Sequence, residues 1–397
     1  MDGTSQPRWR RPEILLLLMA AGVPLSFATW TALLNNFAIE SAAFTGAEIG
    51  ILQSLREVPG FLAFGVVFIL LVMREQTLAL LSLALLGLGT ALTGLLPTVV
   101  GLYCTTVLMS IGFHYYETVQ SSLALQWIDK ARAPVVLGRL IAVGSFTGLL
   151  AYGLIWLAFE FFEIGYAATY GIAGGLTVAI AIAAWALFPR YPERVEQHRR
   201  IVLRRRYWLY YGLTFLSGAR RQIFMVFAGF LLVEKFGYRV EHIALLFLVN
   251  GALNVVLAPR IGRFIARWGE RPALLLEYLG LIGVFVAYAL VESGAVAATL
   301  YVIDHLFFAL AIAIKTYFQK IADPKDIAST AAVGFTINHI AAVIIPAVFG
   351  LVWLVSPAAV FLAGAGLAAT SAVLAAMVPS RPLPGRETTF TPATESA

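Results

Sequence analysis

The sequence predicts an all-α integral membrane protein with 12 transmembrane helices in two pseudo-symmetric six-helix bundles. Three observations support this prediction. The 397-residue chain is 60% hydrophobic and only 13% charged, whereas a soluble domain is about half apolar and about a quarter charged. Apolar runs of roughly 20 residues or more follow one another along most of the chain. The longest polar stretch lies near the middle and separates one set of runs from a second set of equal number.

This composition excludes a soluble enzyme, a nucleic-acid-binding domain and a disordered chain. The net charge of +6 is a topology signal here, because Lys and Arg accumulate in the cytoplasmic loops of membrane proteins. A β-barrel is excluded, because its strands are short and alternate apolar with polar residues. The single cysteine, Cys104, lies within an apolar run, so we expect no disulfide framework, no metal site and no cofactor.

Breaks at proline, glycine and charged residues divide the chain into the predicted spans. They lie at 13–39, 47–72, 76–97, 98–126, 133–160, 164–188, 207–233, 240–264, 272–292, 295–322, 328–353 and 356–378. We interpret the first run as an uncleaved span, because it is longer than the apolar region of a signal peptide. The predicted domains are a cytoplasmic tail (1–12), a first bundle (13–188), a basic cytoplasmic linker (189–206), a second bundle (207–378) and a disordered tail (379–397).

The distribution of basic residues predicts the orientation in the membrane. Of the predicted outer loops, only the one before run eight contains basic residues, Lys235 and Arg239, whereas the linker is rich in arginine. We therefore expect both termini in the cytoplasm and the chain in the plasma (inner) membrane. The two halves also share short matches: Gly153 and Trp156 in run five correspond to Gly350 and Trp353 in run eleven. Such matches favour a parallel internal repeat of six helices.

Charged residues inside the spans mark the candidate functional region. Each costs about 2.5–3.5 kcal/mol at the bilayer centre on insertion scales, so it has to face a cavity or a partner. They are Arg56, Glu57, Glu117, Arg139, Arg220, Arg221, Asp304 and Lys315. Runs three, six and twelve contain none of them, and run nine has only Glu277. We predict that every third helix is a lipid-facing brace and that the others line a central path.

The loop after run eight contains a recognisable motif. The major facilitator superfamily has a basic loop of the form Gly-x-x-x-Asp-Arg-x-Gly-Arg-Arg, and four of its positions match here: Gly262, Arg267, Gly269 and Arg271. Ala266 replaces the acid and Glu270 replaces one base. With its six-plus-six organisation, the chain resembles this family over about residues 13–378. The resemblance implies peripheral helices three, six, nine and twelve, and a gating role for the four matching residues.

Two adjacent arginines halfway along run seven are the first candidates for substrate binding. Arg220 and Arg221 together offer ten N–H donors to a carboxylate or phosphate. Alternatively, one or both form structural bridges to Glu57, Glu117 or Asp304. The other predicted substrate-binding residues are Arg56, Lys315, Arg139, Asn250, Asn254 and Asn338. The amides have a second interpretation as interhelical packing contacts. Because the basic residues inside the spans outnumber the acidic ones, the path favours an anionic solute.

Carboxylates beside histidines are the candidates for proton coupling. Glu117 shares a helix stripe with His114, and Asp304 directly precedes His305. A buried carboxylate in such a place can carry a proton, although both groups are also compatible with structural hydrogen-bond clusters. Glu57 is a third candidate. Because neighbouring helix positions point about 100° apart, we expect Arg56 and Glu57 to have different partners.

The expected activity is secondary transport of a small anionic solute, bearing a carboxylate or phosphate, by alternating access and with proton symport. The expected partners are the solute, protons and the lipid bilayer, without nucleic acid, and the expected oligomeric state is a monomer. No phosphate-binding Gly-x-x-x-x-Gly-Lys-Ser/Thr loop is present, so ATP does not drive the cycle directly. The alternatives are a lipid or amphiphile flippase or drug exporter on the same fold, and a non-transporting receptor. An enzyme is not expected, because the chain lacks His-Glu-x-x-His and Gly-x-Ser-x-Gly motifs.

Overall fold

The computed structural model describes residues 7–128, 133–162, 164–192, 203–323 and 326–390. These residues form helices, joined by short connections, and one isolated β-bridge between Leu383 and Arg386. Within the described ranges, 11 helical segments are long and apolar enough to cross a membrane. The prediction of an all-helical membrane protein is confirmed, and the predicted number of spans, 12, is close to the number found.

The helices follow the predicted order along the chain. The first half contains α1 (Pro12–Ala42), α2 (Gly46–Phe61), α3 (Val66–Ile69), α4 (Glu75–Thr93), α5 (Val99–Trp127), α6 (Ala133–Phe161) and α7 (Tyr166–Leu187). The second half contains α8 (Trp208–Gln222), α9 (Gly229–Glu234), α10 (Val240–Trp268), α11 (Glu270–Leu290), α12 (Gly294–Phe308), α13 (Ile312–Ile321), α14 (Ile327–Val355) and α15 (Pro357–Ala376).

The predicted span at 47–72 is the one that differs in form. It is divided into α2, a 3₁₀ segment at Leu62–Gly65 and the four-residue α3. Pro59 lies near the end of α2, where it has no N–H to donate to the preceding turn. The interruption leaves no single helix long enough to cross a membrane, which explains the difference between 11 and 12.

Two spans of the second half change helix type partway along their length. A π segment at Ile223–Ala228 joins α8 to α9, and a 3₁₀ segment at Ala309–Ala311 joins α12 to α13. The π segment begins two residues after Arg221, and the 3₁₀ segment begins five residues after Asp304. Interruptions of this kind are frequent at functional sites. Both of them lie within a few residues of polar positions predicted from the sequence.

The chain divides into two compact units that exchange one short segment each. The first unit contains 1–44, 55–197 and 239–248, and the second contains 45–54, 198–238 and 249–397. The segments 45–54 and 239–248 each cover the start of the second span of their half, which begins with α2 and α10 respectively. The corresponding places of the two exchanged segments reflect the pseudo-symmetry of the fold.

Glycines allow the helices of the first unit to approach each other closely. A Cβ atom on Gly174 of α7 would lie 2.3 Å from the carbonyl oxygen of Gly87 on α4. A Cβ atom on Gly112 of α5 would lie 2.3 Å from the amide nitrogen of Leu86 on α4. Close contact through small residues is the usual packing of membrane helices. Close backbone contacts at these glycines therefore hold α4 against α5 and α7.

Glycines also allow the start of α2 to pack closely against α14 in the second unit. A Cβ atom on Gly50 would lie 2.3 Å from the carbonyl oxygen of Pro346 on α14. One on Gly350 would lie 2.5 Å from the carbonyl oxygen of Gly46. Ser54 Oγ accepts a hydrogen bond of 2.9 Å from the backbone amide of Ala347. Backbone packing and a polar contact therefore hold segment 45–54 against α14.

The described ends of the basic linker are each anchored to one unit. In the first unit, Gln76 Nε2 donates to the Pro189 carbonyl oxygen at 3.0 Å, and the Tyr191 amide donates to Gln76 Oε1 at 2.9 Å. In the second unit, Asp326 is 3% exposed and accepts hydrogen bonds from Arg204 and Arg206. Linker residues 193–202 lie outside the described residues.

The start of the C-terminal tail differs from the prediction of disorder at 379–397. Tyr317 of α13 donates a hydrogen bond to the carbonyl oxygen of Glu387, and the Thr389 amide donates to the Met377 carbonyl oxygen at 2.9 Å. Glu387 and Thr388 are buried. These contacts dock the tail on the ends of α13 and α15, which a composition argument does not reveal. Residues 391–397 lie outside the described ranges.

We expect Gly50→Ala to destabilise the protein. Glycine to alanine within a helix normally stabilises by about 0.5–1 kcal/mol, but here the methyl group would collide with the Pro346 carbonyl and force overpacking worth about 1–3 kcal/mol. Thermal unfolding of the purified protein should show a lower melting temperature for this variant. Gly171→Ala is the matched control, because a Cβ atom there has nothing within 4 Å. Equal melting temperatures for the two variants would contradict the close packing.

Asp326→Asn should destabilise the second unit at neutral pH and much less in acid. The hydrogen bond from Arg204, with further hydrogen bonds from Tyr207 and Arg206, holds the pKa of Asp326 below its ordinary value. The stability from this charge is therefore complete above the ordinary pKa near 4 and is lost as the pH falls through the lower folded-state pKa. Melting temperatures of both proteins from pH 3 to 8 test this expectation. A constant difference over the whole range would argue against it, and Glu292→Gln, whose side chain is 85% exposed, is the control.

Candidate functional site

The second unit contains a buried ion pair in its interior. Arg220 at the end of α8 is 1% exposed and Glu277 on α11 is 0% exposed. Both terminal nitrogens of the guanidinium lie 3.4 Å from Glu277 Oε1. The guanidinium carbon also lies 4.3 Å from the centre of the Tyr278 ring, in a cation–π contact. These contacts place Arg220 in the bundle interior.

Asp304 on α12 completes this buried charge cluster. Its side chain is 1% exposed, and the charged groups that act on it are Arg220 and Glu277. Among the described residues, Asp304 Oδ1, Glu277 Oε2 and Arg220 Nε have no hydrogen-bond partner. The guanidinium is therefore paired with the Glu277 carboxyl group, and the charge of Asp304, a second buried acid, interacts with both. The cluster becomes electrically neutral when one of the carboxyl groups holds a proton.

Arg221 lies in a different environment from its neighbour. The next position of a helix points about 100° away, and this rotation leaves Arg221 exposed. Its guanidinium carbon lies 5.9 Å from the centre of the Phe308 ring, and its charge acts on His305. His305 Nδ1 is buried without a hydrogen-bond partner in the described part of the chain. The two arginines predicted to act together are thus separated into a buried and an exposed group.

In the first unit, Arg56 and Glu57 of α2 pair with each other. Arg56 Nε lies 3.1 Å from Glu57 Oε1, and a terminal nitrogen of the same guanidinium also donates to that oxygen. The expectation of different partners was wrong, because the long arginine side chain folds back along the helix surface. The guanidinium carbon lies 5.9 Å from the Trp30 ring centre. Ser110 Oγ on α5 donates to the Arg56 carbonyl oxygen. The pair is thus fixed between α1 and α5.

The predicted proton pair on α5 has members in unlike environments. His114 is buried, with 6% exposure, whereas Glu117 is exposed. The ring of Phe113 meets the His114 ring edge to face, with centres 5.1 Å apart, and Phe27 stacks on Phe113 at 4.2 Å. The histidine is therefore buried beside one aromatic ring, whereas the carboxylate three residues further along is exposed.

The remaining predicted binding residues differ in their exposure. Arg139, Lys315 and Asn254 are exposed. Asn338 packs against α8, where a Cβ atom on Gly218 would lie 2.9 Å from Asn338 Nδ2. Asn250 is 3% exposed, and neither of its amide atoms has a hydrogen-bond partner among the described residues. An unsatisfied buried amide is uncommon and marks a place for water or a ligand.

The motif loop between α10 and α11 has a defined turn. Gly269 has φ +89°, which favours glycine, and its amide donates to the Ile265 carbonyl oxygen at 2.8 Å. Glu270, which stands in place of a base, is 2% exposed and lies 2.7 Å from Lys320 Nζ on α13. Gly262 and Arg267 are exposed, and Arg271 is half-buried. The substitution at 270 thus creates an ion pair between the first residue of α11 and α13.

Glu277 belongs to this buried cluster but is not among the site residues predicted from the sequence. It is the only charged residue within run nine away from its ends, and an arginine halfway across a membrane requires an acid. Those two facts together could have suggested the pair. The alternative partners considered for Arg220 were Glu57, Glu117 and Asp304, and the direct ion pair is to none of these.

Comparisons with known proteins agree on the fold. The family model of the major facilitator superfamily matches residues 14–346. A search of curated proteins found no match. The solved structure of the nucleoside transporter NupG is 15% identical, covers 92% of this chain and 98% of its own, and superposes with a TM-score of 0.75.

Two other solved transporters are similarly close in fold. A bacterial homolog of the human lysosomal transporter Spinster, in an inward-facing and unoccupied conformation, has a TM-score of 0.70 at 15% identity and covers 94% of this chain and 95% of its own. A POT family transporter in complex with 5-aminolevulinic acid has a TM-score of 0.71 at 12% identity and covers 94% and 96%. At these identities, the likeness concerns the fold. The family model covers most of the sequence, and the chain therefore belongs to the major facilitator superfamily.

Proposed function

We propose that this protein is a secondary active transporter that moves a small anionic solute, bearing a carboxylate or phosphate, by alternating access with proton symport. It acts as a monomer in the plasma (inner) membrane, with both termini in the cytoplasm. The family and fold support transport of a small molecule across a membrane. The charge, the coupling ion and the orientation are argued from this chain's own residues.

The sorting of charges by burial is the observation that supports an anionic solute. Of the eight charged residues predicted inside the spans, the exposed bases are Arg139, Arg221 and Lys315, and the exposed acid is Glu117. The acids Glu57 and Asp304 are buried. Exposed charges within a span face water, because lipid would impose a cost of several kcal/mol. A solute that meets the exposed charges of this set in the second unit, Arg221 and Lys315, encounters positive charge.

Arg221 is the proposed primary contact for the solute. It is exposed, lies where α8 meets the π segment and has the ring of Phe308 beside it. A guanidinium can bind a carboxylate or phosphate through two parallel hydrogen bonds. Asn250, Asn254 and Asn338 are proposed to add neutral hydrogen bonds. Arg56 and Arg220 are proposed to position the site, because each of them already binds a carboxylate.

The proposed proton site is the cluster of Arg220, Glu277 and Asp304. One positive and two acidic groups share a region that is closed to solvent, and each acid has an unpartnered oxygen. Binding a proton removes the excess negative charge, and losing it restores that charge. Because burial makes the charged state costly, the protonation state changes the energy of this bundle. Further candidates for proton transfer are Glu57, Glu117, His114 and His305.

A role in gating is proposed for the four motif residues in and beside the turn between α10 and α11. These residues are Gly262, Arg267, Gly269 and Arg271.

Arg221→Gln should weaken anion binding by about 10- to 100-fold with little change in stability, because it removes charge-assisted hydrogen bonds worth roughly 1.5–3 kcal/mol. Thermal stabilisation of the purified protein by a panel of carboxylates and phosphate esters measures the affinity. Arg221→Lys should recover part of it, since the charge remains and the fork is lost. Stabilisation by neutral or cationic compounds alone would contradict an anionic solute.

Substitution of the neighbouring Arg220 should, in contrast, mainly lower the stability of the protein. Arg220→Gln leaves Glu277 buried without its partner and should lower the free energy of unfolding by about 3–5 kcal/mol. The double variant Arg220→Met with Glu277→Met should restore most of that loss, because it removes both charges. Its melting temperature should therefore be higher than that of Arg220→Gln. If the double variant is as unstable as Arg220→Gln, the loss of stability does not come from leaving Glu277 buried without its partner.

Asp304→Asn should abolish the response of transport to a pH gradient and retain solute exchange. An asparagine keeps the size of the side chain but cannot gain or lose a proton. Proteoliposomes loaded with a stabilising anion from the panel, with and without an imposed pH difference, separate the two activities. Glu160→Gln is the control, because this acid lies exposed at the end of α6. If the Asp304→Asn variant still accumulates the anion fully when a pH difference is imposed, Asp304 does not take part in proton coupling.

A further inference from the structure

Helix α7 of the first unit has one buried face and one exposed apolar face. Its buried residues lie within about 100° of one another on the helix surface. They are Tyr170, Ala173, Gly174, Thr177, Ala181 and Ala184. The exposed residues of α7 lie outside this arc and are all alanine, glycine, isoleucine, leucine or tryptophan. A path for a polar solute would present polar groups, so this face meets hydrocarbon. The sequence analysis likewise predicts that run six faces lipid.

A cleft lies where this face ends, between the end of α7 and the start of α4. The cleft is open to the outside and has a volume of about 270 Å³. It is lined by Gln76, Thr77, Leu80, Trp185, Phe188 and Arg190. Trp185 is 48% exposed and points about 20° away from Gly174, which packs against Gly87 of α4. Trp185 therefore lies on the side of α7 that faces α4 and borders both the cleft and the apolar face.

The backbone on either side of Arg190 is fixed at this cleft by one buried side chain. Gln76 is 8% exposed. It donates a hydrogen bond of 3.0 Å to the Pro189 carbonyl oxygen and accepts one of 2.9 Å from the Tyr191 amide. The side chain of Arg190 is exposed, and no carboxylate of the described residues forms an ion pair with it. The cleft thus has a positioned guanidinium whose donors can reach a ligand.

The length of α7 places the cleft at the boundary of the bilayer. Its 22 residues span about 33 Å, and the hydrocarbon core is about 30 Å thick. Trp185 is the third residue from the end of α7, and Arg190 lies three residues beyond that end. Tryptophan is typical of this boundary. In the proposed orientation, the cleft lies in the cytoplasmic leaflet, where anionic lipids concentrate.

We propose that this cleft binds the headgroup phosphate of an anionic phospholipid, with an acyl chain along the exposed face of α7. Arg190 supplies the positive charge and the forked donors that suit a phosphate. Leu176 and Ile182 are large exposed side chains on the apolar face, at the depth of the acyl chain. A soluble phosphate would satisfy Arg190 but would leave Trp185 and this face without a counterpart.

The affinity of the full-length protein for phosphatidylglycerol tests the proposal. A ligand of the folded state raises the melting temperature, so the lipid concentration that gives half of the maximal increase in detergent measures the affinity. We expect phosphatidylglycerol to act at lower concentrations than phosphatidylcholine. One basic residue near an anionic lipid surface contributes about fivefold in affinity, so Arg190→Gln should raise the half-maximal concentration of phosphatidylglycerol about fivefold. Arg190→Lys should retain most of the affinity.

The controls distinguish this site from general charge and from soluble anions. Arg381→Gln is the matched variant, because Arg381 is exposed five residues beyond α15, the last span of the second half. It should leave the response to phosphatidylglycerol unchanged. Inorganic phosphate alone should give no comparable stabilisation. Equal responses to the two lipids, or an unchanged response in Arg190→Gln, would overturn the proposal. Stabilisation by inorganic phosphate that equals that by the lipid and depends on Arg190 would do so too.

Discussion

The ion pair between Arg220 and Glu277 is the interaction on which the chemistry of the second unit depends. A guanidinium at this depth cannot lose its charge, so it requires an acid within the bundle. Glu277 supplies that acid from the neighbouring helix α11. In the described part of the chain, Asp304 is a second buried acid that forms no ion pair, and the charge of Arg220 acts on it as well. The excess of one carboxyl group gives this region a reason to bind a proton.

The same constraint explains why charges in this chain differ so much in exposure. Where a base has an acid beside it, as with Arg56 and Glu57, both can lie within the helix bundle. Arg139, Arg221 and Lys315 lie exposed on their units. Burial thus sorts the groups that stabilise the bundles from those that can meet a solute. Two neighbouring arginines, Arg220 and Arg221, show this sorting within a single turn of helix.

The sequence predicted the helices well, because length and apolar composition are local properties. It predicted the polar clusters only in part, because partners depend on which helices meet. The pairing of Arg56 with Glu57 ran against a rule about helix faces, since long side chains reach beyond their own direction. Glu277 was visible as an isolated acid, but its link to Arg220 joins residues 57 positions apart. The docked tail depends on backbone hydrogen bonds to Tyr317 and Met377, which leave no mark in composition.

The π segment at Ile223–Ala228 has a consequence for how this sequence can change during evolution. A π turn is wider than an α turn and accommodates one additional residue without altering the helices on either side. Deleting one residue there would convert the segment to α-helix and rotate everything beyond it by about 100° relative to Arg221. Glu234, which accepts a 2.8 Å hydrogen bond from Trp353 Nε1, would then leave its partner. Homologues that lack the extra residue should therefore also have lost either the acid at 234 or the tryptophan at 353.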